Sequence, residues 1–179
     1  MCVVGKHCII ISRSGKYVNV GTFSPSAGSL SQVPIVDALV AYDCPRTNQT
    51  YLLVVRNALY VEDMEENLIS LFILREAGLV VNECAKQHRP YGEATDDDHT
   101  IQCKEVSLKI PMKIRSTFSY FDTRKPHGDD IENCIPVVIT PECEEWDPCN
   151  ESFAEREDQL MNWKGDIEPP LSRHLEMIS

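Results

Sequence analysis

The sequence predicts a mainly β fold. Two observations carry this: over residues 1–82, apolar runs of strand length are punctuated by Gly, Pro, Asn and Ser turn formers. In the same stretch, only one segment has helical spacing with a capping pattern. Hydrophobic residues make up 42% of the chain and aromatic residues only 7%, so the core is expected to be mostly aliphatic.

Val3-Val4 and Ile9-Ile10-Ile11 are short apolar runs separated by Gly5-Lys6, and Ser14-Gly15 marks a turn. Tyr17-Val18-Asn19-Val20 alternates as a half-buried strand does. Residues 21–31 are rich in Gly, Ser and Pro and read as a loop. A long apolar run follows from Val33 to Tyr42, and Pro45 and Asn48 then turn the chain into a second strand starting at Tyr51. Together these two runs form an expected hairpin. Asp63 is placed to cap a helix, with Glu66 three residues on and Leu68, Leu71 and Phe72 as its apolar stripe. Gly78 is placed to end it, and Leu79-Val80-Val81 reads as a closing strand.

Near residue 83 the chain turns acidic and proline-rich. Ile101, Val106–Ile110 and Ile135–Ile139 suggest short strands, the last interrupted by Pro136. Pro126–Asp130 reads as an exposed loop. Ser152 and Glu155 form a second capping box for a helix reaching Trp163. The expected organisation is a β domain over 1–82, an irregular acidic extension over 83–150, and a short helix with a mobile tail over 151–179.

A formal charge of -11 opposes binding to a phosphate backbone or an anionic membrane. No stretch approaches the roughly 20 apolar residues of a membrane span. The start, Met1 to His7, lacks the basic leader and apolar run of a signal peptide, so an intracellular rather than secreted chain is expected. The eight Cys are then expected as reduced thiols, and the triplets at Asn48 and Asn150 as accidental glycosylation matches.

Several segments have more specific wording. Val40-Ala41-Tyr42-Asp43-Cys44-Pro45, Thr50-Tyr51-Leu52-Leu53-Val54, Asn57-Ala58-Leu59-Tyr60-Val61 and Asn67-Leu68-Ile69 are four of them. Arg75-Glu76-Ala77-Gly78-Leu79-Val80-Val81-Asn82 is a fifth. They resemble the protease segment of copia-type retrotransposon polyproteins. Asp98-His99-Thr100-Ile101, Phe118-Ser119-Tyr120-Phe121 with Thr123-Arg124, and Trp146-Asp147-Pro148 resemble the linker that follows it in one branch of that family. The resemblance implies a partial retropepsin-like barrel with one short helix, carrying a flap hairpin over Val18–Val36. It also implies an aspartic peptidase in which two subunits each supply one acid, the pair sharing a proton.

No Asp-Ser-Gly or Asp-Thr-Gly occurs in the 179 residues. In the family that triplet lies just before the segment resembling Cys2 to His7, so the expectation is a polyprotein fragment without catalytic acid and without turnover alone. Asp122-Thr123-Arg124 is the nearest imitation, and it lacks the glycine. Thr22, Phe23, Ser24, Gly28 and Leu30, with Val33 and Ile35, are the expected lining of a vestigial peptide groove. The competing reading is a solvated loop followed by a core strand. Expected partners are a second copy of the chain or an extended peptide held by strand addition.

No cofactor is expected, and zinc is the alternative. Cys84, His88, His99 and Cys103 are spaced three, ten and three residues apart, and thiolate with imidazole ligands can hold tetrahedral zinc. A polar loop with incidental Cys competes with this. Cys134, Cys143 and Cys149 have a poorer rhythm among Glu142, Glu144, Glu145 and Asp147. Phe118, Tyr120 and Phe121 near Arg115 and Arg124 could stack on a single strand, but the acidity favours packing onto the β domain. No Ser/His/Asp triad is readable from spacing.

Overall fold

The structure is a computed structural model, and it describes residues 1–21, 24, 26, 28–143, 147 and 150–167. It is mainly β, with its strands in open sheets. The chain divides into two units, Met1–Glu144 and Glu145–Ser179.

The first sheet contains β1 (Val3–Val4), β2 (Ile9–Gly21), β3 (Ser29–Asp43), β4 (Thr50–Tyr60) and β10 (Ile135–Val138). β2, β3 and β4 run antiparallel in sequence. β3 occupies one edge of β4, and β1 and β10 share the other, both parallel to it.

Side chains alternate across a strand. On one face, Val36, Ala38 and Val40 of β3 meet Leu53 and Val55 of β4 in the main core. On the other face, Leu39 and Ala41 meet Leu52 and Val54. Both faces are covered, which is why these two strands read as near-continuous apolar runs.

The hairpin is longer than the expected Val18–Val36, pairing from Ile9 opposite Leu39 out to Gly21 opposite Ser29. Ser14-Gly15 does not turn the chain. It forms an irregularity inside β2, with Gly15 at φ +76 and Ser14 Oγ donating to the Ile35 carbonyl at 3.0 Å. Extra residues of this kind bend a strand without ending it, and they also spoil an open edge for unwanted pairing.

The helix expected from Asp63 is shorter. α1 spans Leu71–Glu76, capped by Ser70, and Gly78 at φ +84 ends it by donating its N–H to Arg75. Residues 64–68 are committed elsewhere. Val3 and Leu68 exchange backbone bonds, Lys6 N–H donates to Met64, and Gly5 N–H donates to Asn67 Oδ1 at 2.9 Å. Gly5 is required there, because a Cβ would stand 2.1 Å from the Met64 carbonyl oxygen.

The boundary expected at residue 82 falls inside a second sheet. β5 (Val80–Asn82), β6 (Thr100–Cys103) and β7 (Leu108–Pro111) pair antiparallel in that order. Ile101, Leu108 and Ile110 belong to the same main core as β3 and β4. A two-stranded hairpin of β8 (Lys113–Arg115) and β9 (Phe118–Tyr120) follows, with no counterpart among the expected elements.

The loop expected at Pro126–Asp130 instead runs into α2 (Gly128–Asn133), where the His127 N–H donates to the Asp130 carboxylate at 2.7 Å. Pro136 sits within β10 without breaking it, facing Leu52 in register. The last helix, α3, spans Ser152–Asp158 and stops short of Trp163.

Candidate functional site

Between the first sheet and the β8–β9 hairpin lies a groove of about 540 Å³. Val40, Leu53, Ile101 and Ile139 form its apolar floor, and Phe118 and Phe121 stand along one side. Its rim is charged but paired. Glu65 meets Lys6 and, at 3.3 Å, His7 Nε2. Glu66 meets Arg115, and Asp122 meets Lys113 at 2.6 Å. Arg115 also lies over the Tyr120 ring, 5.3 Å from its centroid. Exposed pairs of this kind contribute little stability each.

Ser119 of β9 lines the groove and is exposed. Its Oγ lies 2.8 Å from Nε2 of His99, which is buried. His99 takes a left-handed backbone, φ 57, and its carbonyl accepts the Met112 N–H at 2.8 Å. Burial lowers the affinity of its ring for a proton, assisted by the positive charge of Lys86.

Two carboxylates converge near the far end of β3, on a guanidinium. Arg124 Nε and Nη2 donate to Asp43 at 2.8 and 3.0 Å. Arg124 Nη1 and Nη2 donate to Asp130 at 2.6 and 3.0 Å. The guanidinium, with Thr50, holds the Asp43 carboxyl below the usual range. The guanidinium and the His127 N–H do the same for Asp130. An aspartic peptidase needs the reverse, one proton shared between two close acids.

Comparison with protein-family models, with curated proteins and with solved structures yields no match.

The structure separates the residues expected to line a flap. Ser24, Gly28 and Leu30 lie at or beside the hairpin tip, with Gly28 and Leu30 exposed. Val33 and Ile35 are buried in β3, as the core-strand reading has it. Thr22 and Phe23 lie outside the described residues. None of the described five lines the groove beneath the β8–β9 hairpin.

The four residues considered for zinc occupy different settings. Cys84 and Cys103 are half-buried, His88 is exposed, and His99 bonds Ser119. Among the described residues, no three His, Cys, Asp or Glu side chains gather where they could hold a metal ion. Of the second cysteine cluster, Cys143 packs by Asn57, whose Nδ2 lies 3.3 Å from its Sγ, and Cys149 lies outside the described residues. Among the described residues no helix is long and apolar enough to cross a membrane.

Spacing did not reveal the His99–Ser119 pair. Twenty positions separate the two residues, and the three-residue strands β8 and β9 are too short to carry a periodic apolar signal.

Proposed function

We propose that this chain is a portion of a copia-type retrotransposon Gag-Pol polyprotein, from the retropepsin-like protease region and the linker after it. In this reading it has no peptidase turnover by itself. The observation that supports the reading best is the order of elements from β2 to β5. A long hairpin with a Gly- and Ser-rich tip is followed by a core strand, a short helix closed by Gly78, and a further strand. That is the order the family wording implies for a flap and the closing part of a retropepsin.

The chemistry follows from the carboxylates. Water activation in this class needs two acids sharing one proton, and the 179 residues contain no Asp-Ser/Thr-Gly triplet to supply them. Asp43 and Asp130 are each engaged by Arg124 and stay ionised, so neither can act as the protonated partner.

Incubation of the purified chain with a mixed peptide library at pH 4 to 7 is expected to give no cleavage. Cleavage that an aspartic-protease transition-state mimic blocks would overturn the reading. A second reading, a peptide-binding module, draws on the 540 Å³ groove with its apolar floor. It is favoured if an extended peptide binds with micromolar affinity and Phe118→Ala, at an exposed residue of the groove, weakens it.

A further inference from the structure

The groove wall carries a serine hydroxyl, bonded to an imidazole buried behind it, that the peptidase reading does not use. Ser119 Oγ and His99 Nε2 are 2.8 Å apart, within the range for a nucleophile and its base. The two residues differ in the way such a pair requires. The serine faces the groove, while the imidazole is 5% exposed and fixed from behind by its own backbone bond to Met112. Buried beside Lys86, the ring stays neutral near pH 7. With its proton on Nδ1, it presents a lone pair to the Ser119 O–H. Phe118 and Phe121 line the same groove as the serine, and their apolar surface suits an uncharged, apolar acyl group.

We infer that Ser119 and His99 form a nucleophile–base pair that transfers acyl groups from carboxylic esters with short apolar acyl chains. Ser119 Oγ bonds to the ester carbonyl carbon as its proton passes to His99 Nε2. The carbon–oxygen bond to the leaving alcohol breaks, and His99 returns that proton to the departing oxygen. Water then attacks the acyl-serine, gives one proton to His99, and releases the carboxylic acid while the proton goes back to Ser119. No acid pair, metal or redox partner enters these steps, so the inference is independent of the retrotransposon reading.

The test uses the full chain with p-nitrophenyl butyrate and, separately, a serine-directed fluorophosphonate. Hydrolysis is expected, together with one fluorophosphonate adduct that peptide mass mapping places on Ser119. Ser119→Ala, a change at an exposed position, is expected to reduce hydrolysis to background and abolish the adduct. His99→Gln, checked for native strand content by circular dichroism, is expected to slow hydrolysis about 100-fold or more, the usual worth of a positioned base. Ser31→Ala, at an exposed hydroxyl of β3, should match the parent. The inference is overturned if the parent shows no hydrolysis or no adduct on Ser119, or if Ser119→Ala hydrolyses the ester at the parent rate. A folded His99→Gln variant as fast as the parent overturns it as well.

Discussion

Arg124 engages two aspartates from opposite parts of the first unit, Asp43 at the end of β3 and Asp130 in α2. A bidentate guanidinium suits this role because its fork matches a carboxylate edge, which lysine cannot do. The pairing makes stability depend on pH in a defined direction. The Asp130 carboxyl is held below its ordinary range by Arg124 first and by the His127 N–H second, whereas an unfolded Asp titrates near about 3.9. A depressed carboxylate contributes stability that is complete above the unfolded value and is lost as pH falls through the folded one. Urea unfolding should therefore find Asp130→Asn less stable than the parent at pH 7, with the gap narrowing below about pH 4. A gap as wide at pH 3 as at pH 7 would show that Asp130 does not act through its charge. Little of this was readable beforehand: Asp130 was assigned to a loop, and Asp43 lies 81 positions from Arg124, a separation that leaves no local pattern.

At the level of single elements, β10 shows how packing can override a local prior. Proline inside a strand argues for an edge or an interruption, and β10 lies at the edge of the first sheet, parallel to β4 from Tyr51 to Val54. Its second half turns one side to the core. Val137, and Ile139 just after the strand, are 3% and 2% exposed, while Val138 between them is 40% exposed. Ile139→Ala should then cost about 2–5 kcal/mol in a urea melt, the usual range for emptying a core site. Val138→Ala should cost much less, roughly 0.5 kcal/mol. Equal losses at the two positions would mean that the strand does not sit in this register. Helix α1 illustrates the opposite failure. Its stop at Gly78 was readable from glycine's tolerance of positive φ, and its start was not, since residues 64–68 bond to the strand at Val3 and its neighbours.

Across the whole molecule, the acidic stretch after residue 83 is part of the first unit: β5 to β7 form one sheet, and the core spans residues from Cys2 to Ile139. The unit from Glu145 onward contains both tryptophans of the chain, Trp146 and Trp163. Trp163 is 91% exposed. In a Trp146→Phe variant, emission should sit at the wavelength of a solvated indole and stay there through the thermal transition that removes the strand signal. A native emission shifted to the blue would show that Trp163 is covered in solution.

Sequence alone determined the β class, the Gly- and Ser-rich loop, the two core strands and the helix stop. Each of these rests on a local rule, whether alternation, an apolar run, or glycine where φ is positive. The tertiary structure decided that β1 and β10 share an edge of β4, that the acidic stretch closes the core, and that Ser119 meets the buried His99. Those features depend on bonds between residues far apart in the chain, whose partners are selected only once the sheets have formed.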